Sequence, residues 1–212
     1  MIKAVIFDMD GVIINTEPIH FNATKKVLKR YGKNIIWKEY RKYTGTTEKY
    51  FWSQLVKGFK LEIDWKTIGD EKAKVYLERL KEAKQLPGIL VLIKKLGKKY
   101  KLGLASSSIQ KEIDLILSSL KIKKYFGAIN SGEFTEKSKP APDIYLETAK
   151  KLKVKPENCL VFEDAVNGVK AAKAAGMKCI AITTSFGRKD LKEADLIINS
   201  FEDFDIKLIE KF

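Results

Sequence analysis

Two aspartates separated by one residue follow the first apolar run of the chain. The segment reads Asp8-Met9-Asp10-Gly11. Residues two apart in an extended chain point the same way, so Asp8 and Asp10 share one side of it. Two neighbouring carboxylates can hold a cation, attack an electrophile or transfer a proton.

Three other interpretations of an Asp-x-Asp-Gly segment stay open at this point. An EF-hand calcium loop needs a preceding helix and a glutamate at its last position, but here an apolar strand precedes and Ile19 stands there. The metal-binding Asp-x-Asp of some glycosyltransferases is the second interpretation. An aspartate-rich turn without a catalytic role is the third.

Further polar groups stand where other apolar runs end. They are Ser106 and Ser107 after residues 102–105, Lys139 in the loop after residues 128–130, and Glu163 with Asp164 after residues 160–162. The carboxyl ends of parallel strands lie at one edge of an open α/β sheet, where such sheets bind ligands. We therefore expect a single cluster of carboxylates, hydroxyls and a lysine.

This set of groups favours a particular chemistry. Four clustered acids repel one another unless a cation neutralises them, and hard oxygen ligands in small number suit Mg²⁺ together with waters and a phosphate. Ser106, at a loop-to-helix junction, and Lys139 suit phosphate oxygens. The sequence therefore predicts a magnesium site that handles a phosphate group.

The elements that must position these residues alternate along the chain. Nearly continuous apolar runs predict buried strands at residues 4–7, 102–105, 128–130, 160–162, 180–183 and 196–198. Helical patterns cover residues 89–99, 109–120, 144–152, 165–175 and 189–194. This alternation predicts an α/β fold with a doubly wound, Rossmann-like parallel sheet.

One long segment after the first strand breaks this alternation. Helical patterns cover residues 18–30, 37–43, 49–57 and 70–84, without a convincing strand. We interpret residues 16–84 as an inserted α-helical cap domain. The catalytic core then consists of residues 1–15 and 85–212.

The charge balance admits a second class of protein. There are 41 Lys and Arg against 27 Asp and Glu, a formal net charge of +14, which would suit a nucleic-acid-binding or non-catalytic protein. The lysines are dispersed, however, and the densest group lies on the polar face of a predicted helix; it comprises Lys94, Lys95, Lys98, Lys99 and Lys101. We therefore expect a solvated surface and no nucleic-acid partner.

The N-terminus and the apolar runs bear on location. No apolar run approaches the roughly 18 residues of a membrane span. An acid, Asp8, arrives too early for a signal peptide. We expect a cytoplasmic protein, monomeric or weakly dimeric, without a membrane partner.

Four segments in order resemble those of one family. They are Phe-Asp-Met-Asp-Gly-Val at 7–12 with Thr-Glu at 16–17, Ala-Ser-Ser-Ser at 105–108, Ser-Lys-Pro-Ala-Pro-Asp-Ile-Tyr at 138–145, and Phe-Glu-Asp-Ala-Val-Asn-Gly-Val at 162–169. Together they resemble the haloacid dehalogenase-like superfamily. More narrowly, they resemble its β-phosphoglucomutase-like branch, in which a helical cap follows the first strand. The resemblance covers nearly the whole chain.

The resemblance implies catalytic roles for both aspartates. Asp8 would be the nucleophile that forms an aspartyl-phosphate, and Asp10 the general acid and then the base. For this Asp10 must hold a proton near neutral pH, so we expect its pKa to be raised. Mg²⁺ would be bound by Asp8, the backbone carbonyl of Asp10 and Asp164, with Glu163 also in the metal site.

The resemblance also implies which groups surround the phosphate. Ser106 and Lys139 would hold phosphoryl oxygens with the help of the Ser107 N–H. His20 in the cap would orient Asp10, and Thr16 would act at the hinge between core and cap. Alternatively, His20 is a half-buried helix histidine and Thr16 only caps the helix that begins near it.

Departures from the branch favour one activity over another. Its mutases carry an arginine in the cap loop to grip a second phosphate, and Glu48 stands there, next to Lys49. They also carry a lysine and an asparagine where Ile109 and Gln110 stand. We therefore expect a Mg²⁺-dependent phosphatase of small phosphate monoesters such as sugar phosphates. The alternative is phosphoryl transfer of the β-phosphoglucomutase type.

Several other residues have a structural and a functional interpretation. The cap aromatics at helical spacing are expected in a core rather than on a substrate platform; they are Tyr43, Phe51, Trp52 and Phe59. Asn167 and Gly168 are expected to shape the loop after Asp164. Cys159 and Cys179 are either two small buried side chains or a disulfide between neighbouring strands.

Overall fold

The computed structural model describes residues 1–202 and 204–212. Within them lie eight strands, β1 (Ala4–Phe7), β2 (Ile14–Asn15), β3 (Lys84–Gln85), β4 (Lys101–Ser106), β5 (Ala128–Ser131), β6 (Cys159–Glu163), β7 (Lys178–Ile182) and β8 (Leu196–Ile198). The same residues form eight α-helices, α1 (Glu17–Arg30), α2 (Trp37–Tyr40), α3 (Glu48–Phe59), α4 (Trp65–Arg79), α5 (Ile89–Leu96), α6 (Gln110–Ser119), α7 (Asp143–Leu152) and α8 (Val166–Ala174).

Six strands form one sheet in the order β5-β4-β1-β6-β7-β8. All of its pairs are parallel. The strand order runs in opposite directions on the two sides of β1, which is the arrangement of a doubly wound sheet. The predicted α/β fold is confirmed. The residues that follow β1 therefore lie at the middle of the carboxyl edge.

Apolar residues cover both faces of this sheet. One cluster contains Phe7 and Phe162, whose rings stack with centroids 5.2 Å apart, together with residues of α5 and α6. The other contains Ile6 and Val161 and is covered by α7 and α8. Burial on both faces explains why the strands are nearly continuous apolar runs. Cys159 and Cys179 lie in the second cluster as buried, free thiols.

The helices α1 to α4 surround an apolar cluster of their own. Its largest members, Trp52 and Tyr76, are fully buried, and Phe51 is nearly so. This segment connects to the sheet through β2 and β3, which pair antiparallel. Two residues in each strand are too few for a sequence pattern, so these strands were not predicted. The division into core and cap domains stays a prediction.

Two predicted helices differ from the structure. Residues 188–193 form turns instead of the predicted helix at 189–194, because the backbone N–H groups of Asp190 and Ala194 donate to carbonyls three residues back rather than four. The predicted helix at 70–84 begins earlier, at Trp65. There Asp64 caps it by accepting hydrogen bonds from the backbone N–H groups of Lys66 and Thr67.

The lysines singled out around α5 lie at the surface. All five are exposed; they are Lys94, Lys95, Lys98, Lys99 and Lys101. The helix predicted at 89–99 ends at Leu96, however, so only the first two lie on α5, while the others lie in the turn after it and at the start of β4. Among the described helices, none combines the length and the hydropathy needed to cross a bilayer.

We expect Gly88→Ala to destabilise the fold more than Gly176→Ala. Both glycines have a left-handed backbone, with φ of +79° and +72°. Alanine at either position costs about 1–2 kcal/mol for that conformation. At Gly88 a Cβ would also lie 2.8 Å from backbone atoms of Phe201 and Glu202, whereas nothing lies within 4 Å at Gly176. Crowding adds about 1–3 kcal/mol. Urea unfolding of both variants measures the difference, and equal losses would contradict this packing.

Candidate active site

A lysine joins two carboxylates at the carboxyl edge of the sheet. Lys139, in the loop between β5 and α7, donates from Nζ to Asp8 Oδ1 and to Glu163 Oε1, each at 2.7 Å. Asp8 follows β1, and Glu163 ends β6. Oxygens of Asp8, Glu163 and Asp164 lie within 4.8 Å of one another. The strand ends therefore bring together the acids and the lysine that the sequence predicted to meet.

Burial and like charge act on these acids in the same direction. Burial raises the pKa of Asp8 well above its usual range, and Glu163 adds to the shift although Lys139 opposes it. The pKa of Asp164 is raised for the same reasons, burial first and then the charge of Glu163. The pKa of Lys139 is raised because it faces Asp8 and Glu163, an effect that outweighs its burial. The cluster has an excess of negative charge.

One oxygen of this cluster has no hydrogen-bond partner. Asp164 Oδ2 is buried and receives no hydrogen bond from the described residues. Gly11 leaves the space for it: its φ is +77°, and a Cβ there would lie 1.8 Å from this oxygen. A buried carboxylate oxygen without a donor fits a metal ligand. Asp8 and Asp164 are therefore suited to hold a divalent cation such as Mg²⁺.

Glu163 is engaged differently from Asp164. Its Oε1 accepts hydrogen bonds from Lys139 and, at 2.9 Å, from the Tyr145 hydroxyl. Its Oε2 accepts from the backbone N–H groups of Asp164 and Ala165 at 2.7 and 2.8 Å. Both oxygens have donors, so Glu163 mainly provides the counter-charge that positions Lys139.

Glycine is required beside Glu163. A Cβ at Gly168 would lie 1.6 Å from Glu163 Oε1. Asn167, next to it, has a role that the sequence did not indicate. Its side-chain amide donates to the backbone carbonyls of Lys42 and Thr44 in the cap, at 3.3 and 3.1 Å. This residue therefore bridges the loop after Asp164 and the cap.

Asp10 is surrounded by hydrogen-bond donors. Its Oδ1 accepts from the Thr16 hydroxyl. Its Oδ2 accepts from the hydroxyls of Ser106 at 3.2 Å and Ser108 at 2.8 Å. His20 Nε2 lies 3.5 Å from Oδ1. His20, which was expected to orient Asp10, therefore lies beside it, and so does Thr16, which was expected at the hinge or as a helix cap.

The expectation that the pKa of Asp10 is raised is wrong for this arrangement. Burial alone would raise its pKa, but these donors and the His20 ring lower it to about 2. Hydrogen bonds to the ionised form therefore outweigh burial. Asp10 is therefore ionised while the cap donors contact it.

A buried lysine on the cap orients His20. Lys72 Nζ lies 2.6 Å from His20 Nδ1 and also donates to the Glu48 carboxylate. Because an ammonium group can only donate, Nδ1 must accept, and the ring proton belongs on Nε2, which faces Asp10. Burial and the charge of Lys72 lower the pKa of His20. A chain of contacts thus runs from Asp10 through His20 and Lys72 to Glu48.

The position of Lys72 along α4 is a sequence signal for its burial. Lys72 lies on the same face of α4 as Ile68, Val75 and Tyr76, all of which are buried. A lysine on the apolar face of a helix needs a buried partner. Glu48 is that partner, although its own side chain is half-buried. Burial would raise the pKa of Glu48, but Lys72 outweighs this effect and lowers it. Lys49, the neighbour considered in its place, is exposed.

A cavity of about 60 Å³ separates the sheet edge from the cap. The aspartates Asp8, Asp10 and Asp164 line its core side, and Ser107 lies there too. The Ser107 hydroxyl donates to the carbonyl of Gly45 in the cap at 2.7 Å. The cap side carries acids and hydroxyls; it includes Glu17, His20, Thr24, Tyr40, Thr44, Thr46, Glu48 and Lys72.

Two buried glutamates near the cavity were also missed. Burial, with the charge of Asp10, raises the pKa of Glu17 to about 7. Burial raises the pKa of Glu112 on α6 to about 8, although Lys72 opposes the shift. No pattern in the sequence indicates that either carboxylate is buried. Of the predicted cap aromatics, Phe51 and Trp52 are buried in the cap cluster, while Tyr43 and Phe59 pack against it.

Known proteins share this fold and these segments. A profile of haloacid dehalogenase-like hydrolases matches residues 5–182. A phosphorylated carbohydrates phosphatase from Thermotoga maritima is 38% identical over 84% of this chain and 83% of its own length. A fructose-1-phosphate phosphatase from Escherichia coli is 28% identical over 84% and 95%. A β-phosphoglucomutase crystal structure from Clostridium difficile superposes with a TM-score of 0.90 at 29% identity, covering 100% of this chain and 96% of that one. With a match over most of its length, this chain belongs to the haloacid dehalogenase-like hydrolases.

Proposed function

We propose that this hydrolase is a Mg²⁺-dependent phosphatase that cleaves small phosphate monoesters, such as sugar phosphates, through an aspartyl-phosphate. The observation that carries the proposal is the carboxylate of Asp8. It is buried at the centre of the sheet edge, 2.7 Å from Lys139, and shares a cluster with the unpartnered oxygen of Asp164. This is a nucleophile beside a cation and beside a metal ligand.

Lys139 has two tasks in this proposal. Its contact with Asp8 Oδ1 fixes the carboxylate so that the other oxygen can attack phosphorus. As a buried cation it also offsets the charge of the phosphoryl oxygens, together with the Ser106 hydroxyl and the Ser107 N–H. Glu163 holds Lys139 in place from the opposite side.

Asp8, Asp164 and the backbone carbonyl of Asp10 would hold Mg²⁺. A bound Mg²⁺ would neutralise charge that develops on the transferring phosphoryl group. Burial, and after it the charge of Glu163, raises the pKa of Asp8 and of Asp164, and a divalent cation would favour the ionised form of both. The full hydrogen bonding of Glu163 favours a role in positioning rather than direct ligation.

The cap controls the proton on Asp10 in this scheme. Thr16 and His20 belong to the cap side and stabilise the Asp10 carboxylate. When they contact it, Asp10 is ready to accept a proton from the water that hydrolyses the aspartyl-phosphate. When the cap opens, these donors leave, so the carboxylate can gain the proton that it later donates to the leaving oxygen.

Relatives support the substrate class. The Thermotoga maritima relative is named for phosphorylated carbohydrates and the Escherichia coli relative for fructose 1-phosphate. Similarity to a β-phosphoglucomutase keeps phosphoryl transfer as the second candidate. Against phosphoryl transfer, Glu48 occupies the place where an arginine would bind a second phosphate. The charge of Lys72 is already paired with that of Glu48. Location in the cytoplasm and a monomeric or weakly dimeric state stay predictions.

The first prediction concerns the nucleophile. Asp8→Asn should lower phosphate release by about 10⁴-fold or more, as loss of a covalent nucleophile does. Its thermal stability should stay the same or rise, because a buried carboxylate leaves a crowded cluster. Phosphate release is assayed with and without Mg²⁺. The matched control is Asp114→Asn, at a surface position of α6. Undiminished activity of Asp8→Asn, or of the wild type in excess chelator, would refute the mechanism.

The second prediction separates the acid from the nucleophile. Asp10→Asn should slow hydrolysis of a sugar phosphate by about 10²–10⁴-fold, the usual effect of losing general acid–base catalysis. The loss should be smaller on p-nitrophenyl phosphate, whose leaving oxygen needs little protonation. The comparison requires kcat for both substrates. Equal fractional losses would remove Asp10 from the acid role.

The third prediction decides between hydrolysis and transfer. With Mg²⁺ and a trace of the bisphosphate, β-glucose 1-phosphate should give free phosphate rather than glucose 6-phosphate. Loss of a charge-assisted hydrogen bond weakens binding by about 1.5–3 kcal/mol. With Glu48 in place of an arginine, the contact to the second phosphate is lost. Both products are followed in one reaction. Faster formation of glucose 6-phosphate would establish the transferase instead.

A further inference from the structure

Exposed lysines collect at the edge of the sheet where the strands begin. Four chain segments lead into β5, β4, β1 and β6, which are neighbours in the sheet in that order. These segments are residues 120–127, 97–101, 1–3 and 150–158, and together they hold eleven lysines, all exposed, and one acid, Glu157. Because parallel strands begin at one edge and end at the other, this edge lies opposite the active site.

Most of this charge has no acid partner. Three of the eleven lysines form surface ion pairs, with Glu210, Asp114 and Glu157. Two more donate hydrogen bonds to uncharged groups. The other six make no ion pair and no side-chain hydrogen bond with the described residues. We call these six the basic edge; they are Lys3, Lys98, Lys121, Lys124, Lys150 and Lys153.

The uncompensated charge is confined to one half of this edge of the sheet. Beyond β6, Lys173 and Lys178 both pair with Asp195, at 2.7 and 3.4 Å. Residues 189–195, which lead into β8, hold two lysines against three acids. A surface that was merely rich in lysine would carry the excess on both halves. The basic edge is therefore a localised feature of the fold.

The expectation of no nucleic-acid partner rests on the dispersion of the lysines along the sequence, and the fold brings them together. Lys3 and Lys153, 150 residues apart in the chain, belong to segments that lead into the paired strands β1 and β6. Adjacent strands lie about 4.8 Å apart, so the four segments meet along about 14 Å of the edge. Dispersion in sequence is therefore no argument against a concentrated positive surface here.

Two of the six lysines occupy backbone positions that favour glycine. Lys121 and Lys153 follow the ends of α6 and α7, and each has a φ of +55°. Gly176 has the same place after α8, with a φ of +72°. Glycine adopts this conformation without the steric cost that a Cβ brings. At two of three comparable turns the chain therefore carries a charge where the backbone alone would favour glycine.

The residues at this edge discriminate among anionic partners. None of the four arginines of the chain stands in the four segments, so bidentate reading of base edges is not provided for. Of the large apolar side chains that are exposed among the described residues, only Met1 lies there. Stacking of unpaired bases and insertion into a lipid surface both need such side chains. A line of ammonium groups without them suits the regularly spaced phosphates of a duplex.

We propose that the basic edge binds the phosphate backbone of double-stranded nucleic acid, independently of base sequence. Its length of about 14 Å matches about four phosphates of one strand, which follow one another about every 3.4 Å along the helix axis. Four contacts predict that the affinity falls about 100-fold between 50 and 200 mM salt. The duplex would lie on the side away from Asp8, so the active site would stay open.

The test follows the anisotropy of a fluorescent DNA duplex of about 20 base pairs at salt concentrations between about 50 and 200 mM. Both strands end in 5′-hydroxyl groups, so no terminal phosphate monoester can enter the active site. The edge variant carries Lys98→Gln, Lys121→Gly and Lys153→Gly. At the lowest salt it should bind at least tenfold more weakly than the wild type, and its log–log salt slope should be shallower by about one unit for each lost phosphate contact.

A control variant separates the basic edge from net charge. Lys25→Gln, Lys26→Gln and Lys29→Gln remove three exposed lysines from α1, and both variants lower the formal charge from +14 to +11. The control variant should bind the duplex within about twofold of the wild type, because these lysines lie off the edge.

Two measurements show whether the edge variant is intact. Its Tm should stay the same or rise, because glycine suits both left-handed turns. Both variants should hydrolyse p-nitrophenyl phosphate as the wild type does, since none of the substituted residues lines the cavity.

Each remaining outcome decides against the inference and leaves the proposed function untouched. The inference is overturned if the wild type does not bind the duplex at the lowest salt, or if both variants lose the same affinity, since binding then follows net charge alone. Tighter binding of the single strand, or of vesicles with one third phosphatidylserine, would assign the edge to another partner. A tenfold preference between two duplexes of different sequence would contradict binding through the backbone.

Discussion

Lys139 lies between Asp8 and Glu163, with its ammonium nitrogen 2.7 Å from an oxygen of each. All three side chains are almost completely buried, so these charges are hidden from water. One ammonium cannot balance the three acids that lie within 4.8 Å. The rest of the site follows from this imbalance. One oxygen of Asp164 has no hydrogen-bond partner among the described residues. The site also requires glycine at positions 11 and 168, because any side chain there would collide with the acids.

A second set of charges connects the cap to this cluster. Asp10 accepts hydrogen bonds from serines of the core and from Thr16, and His20 approaches it from α1. Behind His20, the buried Lys72 pairs with the half-buried Glu48 within the cap. The pKa of Asp10 therefore depends on contacts with Thr16 and His20 as well as on the serines of the core. The proposed function assigns to these contacts the control of the proton on Asp10.

The sequence was sufficient for the sheet edge and insufficient for the cap wall. Asp8, Ser106 and Glu163 could be placed together because each follows or ends a buried strand, and parallel strands end at one edge. Glu17 could not, because its position depends on how α1 packs against the core, which no local pattern encodes. Lys72 lies on the apolar face of α4, which indicates burial, but the partners that it meets there depend on how the cap helices pack. Strands β2 and β3 were missed for their length, and the turns at 188–193 were assigned as a helix from too short a pattern.

Thermal unfolding of the wild type and of Asp164→Asn, with and without Mg²⁺ at neutral pH, tests the charge imbalance most directly. Without Mg²⁺ the variant should be at least as stable as the wild type, because it removes one of three crowded carboxylates. Mg²⁺ should raise the Tm of the wild type, as a ligand of the folded state does, and leave that of the variant unchanged. Destabilisation of the variant without Mg²⁺, or an equal Mg²⁺ response in both proteins, would contradict the account.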